Sequence, residues 1–242
     1  MGIKSRITSL PWSSDGFRVA AECRPADELA GDFYLVTARG SGRLMVVIGD
    51  ACGRGRDGAA LLPGIVPRAR QLAASSASPA HLLTELNRTA AAALPIDRFV
   101  TAAALEFDRE LCTLTVSNAG HVPALARSAF SNVRVLGRVA GPPLGVVANA
   151  TFTEEVFPFR DGDSVVLMTD GVLEAIEVDL LGMDKLRALV AHAPAHARGL
   201  NHAILAALDR RLRGRRLDDV TLVTVEMTRA AHGRSTHLER AS

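Results

Sequence analysis

The chain has 242 residues, 48% hydrophobic and 22% charged, an ordinary globular composition that excludes a disordered or fibrous protein and supplies a sizeable apolar core. Lysine and arginine total 28 against 26 acidic residues, and a net charge of +2 points to neither nucleic acid nor a membrane as partner. The cysteines Cys23, Cys52 and Cys112 show no CxxC or Cys/His spacing, which argues against a disulfide framework or a zinc site and fits a reducing cytoplasm.

Met1 to Pro11 lacks the apolar stretch of a secretory leader, and Arg6 breaks the myristoylation pattern. No later run approaches the roughly 18 apolar residues of a membrane helix, so an unanchored cytoplasmic protein is expected. Short apolar runs predict strands over Phe33 to Val36 and Leu44 to Ile48. A helix group follows from Asp57 to Ser75 and on through Ala93, with Pro63 and Pro67 expected to kink or interrupt its first part. Its second helix is well marked: Ser78 can cap it, Pro79 suits the first helical position, and Leu82, Leu83, Leu86 and Ala90 share one face.

Val100 to Phe107 and Leu111 to Ser117 predict a hairpin turning at Asp108-Arg109-Glu110. Another strand is expected over Val165 to Met168, then helices from Asp184 to Arg213 broken at Pro194 and stopped by Gly214, then a strand over Val220 to Val225. Arg210, Arg211, Arg213, Arg215 and Arg216 form a basic cluster that reads as a solvated helix end. The polar tail 229–242 is expected to be flexible and residues 1–228 to form one domain. Strands and helix pairs in this order give an α+β fold without regular βαβα alternation.

Several apolar strands carry an aspartate at one end: Asp32 before its strand, Asp50 and Asp170 after theirs, Asp218 before the last. Antiparallel pairing sets the start of one strand beside the end of its neighbour, so the four carboxylates can converge at one edge of a sheet. No lysine or arginine is their immediate neighbour at Asp32, Asp50 or Asp170. Uncompensated carboxylates repel, and hard Mg²⁺ or Mn²⁺ suits an oxygen donor set better than zinc. Two such ions, about 3.5 to 4 Å apart, would generate a hydroxide nucleophile and clamp a phosphoryl oxygen. The chemistry indicated is metal-assisted hydrolysis of a phosphate ester. The competing reading is that each aspartate merely caps a turn, as in Asp170-Gly171.

Six ordered blocks carry a resemblance: Ala30-Gly31-Asp32-Phe33-Tyr34; Val47-Ile48-Gly49-Asp50-Ala51-Cys52-Gly53-Arg54-Gly55; Ser117-Asn118-Ala119-Gly120-His121-Val122-Pro123; Pro143-Leu144-Gly145; Thr169-Asp170-Gly171-Val172-Leu173-Glu174-Ala175; and Asp218-Asp219-Val220-Thr221. From about Arg18 to Met227 the chain resembles the SpoIIE-type serine phosphatases, bacterial members of the PPM, or protein phosphatase 2C-like, superfamily. The resemblance implies two antiparallel β-sheets packed as a sandwich, flanked by helix pairs, with two Mn²⁺ or Mg²⁺ ions at one end. It implies that Asp32, Asp50, the Ala51 carbonyl, Asp170 and Asp218 hold the metals, and that activated water attacks phosphorus without a phosphoenzyme. Between Asp218 and Asp219 the sequence leaves a choice, and position in the last block favours Asp218, with Asp219 in a supporting or turn role. The implied substrate is a phosphoserine or phosphothreonine on a STAS-domain anti-anti-sigma factor of a partner-switching pathway, with an activating partner protein possible. The helix pair after Gly55 corresponds to the family's regulatory switch helices.

Three departures from the family pattern stand out. Leu35 occupies the position of a second aspartate in a GGDFYD pattern, which removes a supporting acid, and Ala30 and Ala51 replace glycines. Leu35 and Ala51 motivate a second reading, a catalytically weak or inactive phosphatase-like binding module. Other signals are set aside. Gly53 to Gly58 fits GxGxxG, but no acid follows about 20 residues on and the βαβ order is missing. His192 and His196 flank Pro194 and read as surface residues, His121 as a structural hydrogen-bonding residue, and Cys52 as a small buried thiol.

Overall fold

A computed structural model describes residues 10–14, 16–40, 42–176, 182–213 and 218–228. The expected helix stop at Gly214, the arginines Arg215 and Arg216, and the tail 229–242 lie outside the described residues. In chain order the elements are β1 (Leu10–Ser14), β2 (Phe17–Arg24), β3 (Asp32–Ala38), β4 (Arg43–Ala51), α1 (Arg56–Ala59), α2 (Leu62–Ser75), α3 (Pro79–Ala93), β5 (Val100–Asp108), β6 (Thr113–Ala119), β7 (Ala124–Arg127), β8 (Val133–Leu136), β9 (Glu155–Pro158), β10 (Ser164–Met168), α4 (Asp170–Ile176), α5 (Gly182–His192), α6 (Ala197–Leu212) and β11 (Val220–Met227).

The strands form two sheets, one of order β1-β2-β11-β10-β7-β8 and one of order β3-β4-β5-β6-β9, with antiparallel pairing between all neighbouring strands. This is the α+β sandwich expected from the sequence. The period-two alternation of β4 explains its double burial: Leu44, Val46 and Ile48 face the other sheet, while Met45 and Val47 face the helices α2 and α3. Between the sheets Phe107 stands edge-on to both Phe17 and Phe159, with ring centroids 6.1 and 5.2 Å apart. On the outer face of the first sheet, α4, α5 and α6 bury Val172, Leu186, Leu200 and Ile204 against Val166, Met168 and Leu222.

Local signals held where their chemistry was explicit. Ser78 caps α3, its hydroxyl accepting from His81 N at 3.3 Å, and Pro79 opens the helix. The first helix group divides at residues 60–61, before either proline: α1 ends at Ala59, Pro63 falls in the first turn of α2, and Pro67 lies inside α2 without the interruption expected there. The β5–β6 hairpin forms, but its second strand begins at Thr113 and not at Leu111. Leu111 is 72% exposed in the turn, where its N–H donates to Asp108 Oδ1 at 2.9 Å and Cys112 takes φ 52°. The helix α4 is a further addition, because Asp170-Gly171 reads in sequence as a turn.

Candidate metal centre

The β3–β4 register places Asp32 directly opposite Asp50. Both continue rows that face the interior of the sandwich, Asp32 with Tyr34 and Val36, Asp50 with Leu44, Val46 and Ile48. The same parity sends Leu35 to the opposite face, where it packs in the helix-covered core beside Phe33 and Val47. A carboxylate at position 35 would therefore not share the face of Asp32 and Asp50. Like charges opposed on neighbouring strands are destabilising, so the arrangement calls for a cation.

The other two aspartates come from the first sheet. Asp170 opens α4 after β10, and Asp218 precedes β11, the antiparallel neighbour of β10. The expected convergence at one edge of one sheet is thus corrected: the four carboxylates meet at one end of the sandwich, two from each sheet. Each sheet contributes an antiparallel pair that finishes on the same side. Asp32 is buried, Asp50 and Asp218 are half-buried and Asp170 is exposed, so the cluster runs from the interior to solvent.

Ala51 follows Asp50, and its N–H donates to Gly31 O at 3.1 Å. Its carbonyl packs between two glycines: a Cβ at Gly31 or at Gly58 would come within 3.0 Å of that oxygen. The Gly31 position also lies against Asp50 Oδ1, so carbonyl and carboxylate border the same small residue. Ala51 is absent from the residues with positive φ, and alanine meets the backbone requirement there without strain.

Of the two candidate acids in the last block, Asp219 has both oxygens engaged by backbone donors, Ala26 N at 2.7 Å and Gly31 N at 2.8 Å. It fastens the loop that leads into Asp32. Asp218 Oδ1 accepts from Asp219 N at 2.8 Å, and its Oδ2 faces Arg54 Nε at 3.3 Å. Two contributors escaped the sequence reading. Thr169, fully buried, donates its hydroxyl to Asp32 Oδ2 at 2.8 Å while accepting from Thr221 N at 3.0 Å, which ties the two sheets together at the carboxylates. Arg54 reaches Asp218 and, at 4.0 Å, Glu174. Thr169 immediately precedes Asp170 in its block; Arg54 carried no signal, because its partners lie more than a hundred residues away.

Burial, and then the surrounding carboxylates, keep protons on this cluster. Asp50 is pushed up to about 8 by burial, then by Asp32, Asp170 and Asp218; Asp32 rises to about 7, chiefly by burial, against the lowering effects of Thr221 and then Thr169. Asp170, exposed as a residue, is also raised, first because the protein around its carboxyl partly desolvates it and then by Asp218. Among the described residues no three His, Cys, Asp or Glu side chains already stand as a ligand cluster. The donor set nonetheless fits a hard divalent cation: it is all oxygen, it holds excess negative charge, and Mg²⁺ commonly completes its shell with water.

His121 lies behind the cluster. Its Nδ1 shares a 2.8 Å hydrogen bond with Thr101 Oγ1, and its backbone N–H and C=O are both held by Asn118. Burial lowers its pKa to about 4, so the imidazole is neutral, consistent with a structural role. Cys52 is half-buried, its Sγ accepting from Phe99 N at 3.2 Å. His196 caps α6 through Nδ1, 3.0 Å from Gly199 N, and His192 bonds its own helix; both are exposed.

Against known families, residues 40–228 match the family model described as Stage II sporulation protein E (SpoIIE). The chain belongs to the SpoIIE family. One similar protein is the phosphoserine phosphatase RsbP of Bacillus subtilis, 26% identical over 175 residues, covering 71% of this chain and 43% of that protein. The chain spans less than half the length of the curated relatives it matches. Among solved structures, the RsbU and RsbW domains of Rv1364c from Mycobacterium tuberculosis align with TM-score 0.80 at 25% identity, over 94% of this chain and 64% of that one. The SiaA-PP2C domain of Pseudomonas aeruginosa aligns with TM-score 0.74 at 20% identity, over 86% and 85%. The SpoIIE-family chain thus has the α+β architecture of PP2C-like phosphatase domains. Among the described residues no helix is long and apolar enough to cross a membrane.

Proposed function

We propose that the chain is a protein serine/threonine phosphatase dependent on Mn²⁺ or Mg²⁺, acting on a phosphorylated STAS-domain regulatory protein of a partner-switching pathway. The observation that carries this reading is the pair Asp32 and Asp50, opposed in register on the interior face and joined by Asp170 and Asp218 from the other sheet. Membership of the SpoIIE family, and a relative named as a phosphoserine phosphatase, support the substrate class. In this reading Asp32, Asp50, Asp170, Asp218 and the Ala51 carbonyl hold two ions.

When bound, such ions supply an activated water and neutralise phosphoryl oxygens. The chain's own residues prepare that end of the sandwich. Thr169 holds Asp32 by its Oδ2, and Asp219 anchors the loop before Asp32. Gly31 and Gly58 leave the Ala51 carbonyl room that a Cβ would fill. The features that suggested an inactive binding module weigh little in this geometry, since Leu35 faces the helices and Ala51 needs no glycine.

Hydrolysis of para-nitrophenyl phosphate, measured with added Mn²⁺, with Mg²⁺ and with EDTA, tests the reading. Turnover should require metal and vanish in Asp170→Asn, and a phosphorylated STAS protein should lose its phosphate under the same conditions. Absence of turnover on both substrates at every metal concentration, with partner binding retained, would favour the binding module instead.

A further inference from the structure

The fold brings a tethered guanidinium to the carboxylate cluster. Arg54 lies four residues beyond Asp50, in a turn whose flanking glycines both take positive φ, 106° at Gly53 and 55° at Gly55. Side chains rarely adopt that backbone, and a Cβ at Gly55 would come within 2.8 Å of Asp27 Oδ2, so the turn that aims Arg54 is fixed by the glycines. A second guanidinium, that of Arg98, lies against Gly53 and adds to a basic rim.

The contacts that Arg54 makes are loose. It stands 3.3 Å from Asp218 and 4.0 Å from Glu174, with its side chain 71% exposed. Exposed pairs of this length are worth little, and the guanidinium exchanges partners readily. The charge balance gives it a partner to take. Two divalent ions bring four positive charges to a mouth that carries Asp32, Asp50, Asp170, Asp218 and Glu174, so the loaded site holds no surplus positive charge for a phosphate dianion. An arginine fork matches phosphate oxygens in shape as well as charge.

Resting on the phosphatase reading, we infer that Arg54 is a substrate-binding residue: its guanidinium leaves Asp218 and Glu174 to bind the non-bridging oxygens of the phosphoryl group. It orients the phosphoserine and raises affinity for any phosphate monoester, and it holds product phosphate in the same way. Lysine at this position would keep the charge and lose the fork.

The test compares wild type, Arg54→Ala, Arg54→Lys and Arg56→Ala. Arg56, two residues along and 83% exposed beside Glu28, controls for the loss of one positive charge. Two quantities are read: KM and kcat for para-nitrophenyl phosphate with saturating Mn²⁺, and the affinity of the Mn²⁺-loaded protein for inorganic phosphate by calorimetry. Arg54→Ala should raise KM and weaken phosphate binding by about tenfold or more, with Arg54→Lys intermediate and Arg56→Ala within about twofold of wild type. Half-saturation by Mn²⁺ should not weaken in Arg54→Ala, whereas it would if Arg54 merely positioned Asp218. Unchanged KM and phosphate affinity in an active Arg54→Ala enzyme would overturn the inference and leave the phosphatase reading intact. Phosphate binding that needs Arg54 in a protein without turnover would sink that reading and the substrate role with it, leaving Arg54 as a phosphate ligand only.

Discussion

At the scale of single residues, the account turns on where protons sit. Folding raises Asp32 and Asp50 from 3.8 to about 7 and about 8, so over that range the folded chain holds protons that the unfolded chain has released. Stability of the metal-free protein must then fall as pH rises from the ordinary carboxylate range toward 8, and a divalent ion that relieves the repulsion should restore it. We expect Mn²⁺ to raise the melting temperature more at pH 8 than at pH 6, read by scanning calorimetry against EDTA controls; an equal shift at both pH values would contradict the assignment. Asp219 makes a different prediction. Asp219→Ala removes the acceptor of Ala26 N and Gly31 N and should cost about 2–4 kcal/mol in urea unfolding, with activity lost in parallel because Asp32 loses its anchored approach. The acids themselves were legible in the sequence, since each stands at the end of an apolar run. Thr169 and Arg54 were not, because the contacts that give them meaning join residues 137 and 164 positions apart.

At the scale of elements, legibility followed the strength of local chemistry. Ser78 and Pro79 announced α3, and Asp108 to Glu110 announced a hairpin, because capping and turn formation involve residues within three or four positions. The strands β7, β8 and β9, of four residues each, are too short for their pattern to set them apart from loops; pairing with their sheet neighbours defines them. The helix α4 was hidden by a dipeptide that ordinarily turns, and its glycine has a steric reason: a Cβ on Gly171 would lie 2.0 Å from the Asp219 carbonyl oxygen. Gly171→Ala should push α4 away from that loop, destabilising the protein by about 1–3 kcal/mol and lowering activity through both Asp170 and Asp218. Ser78→Ala, distant in sequence from every candidate ligand, should cost about 1 kcal/mol with activity unchanged. Comparing urea midpoints with turnover separates the two variants.

At the scale of the whole molecule, the candidate centre is a property of the sandwich and of neither sheet alone. The sequence announced antiparallel strands with acidic ends, but one shared edge was the simplest way to gather them. The structure assembles them from two sheets because period-two alternation turns Asp32 and Asp50 toward the facing sheet, where Thr169 reaches Asp32. A cation held there links both layers, so its binding should stabilise the entire fold. Mn²⁺ titration of the protein by calorimetry, with Asp50→Asn beside the wild type, tests that claim most directly. Binding by the wild type that is lost or greatly weakened in a still-folded Asp50→Asn is the predicted result; equal Mn²⁺ binding by both proteins, or none by either, would contradict it.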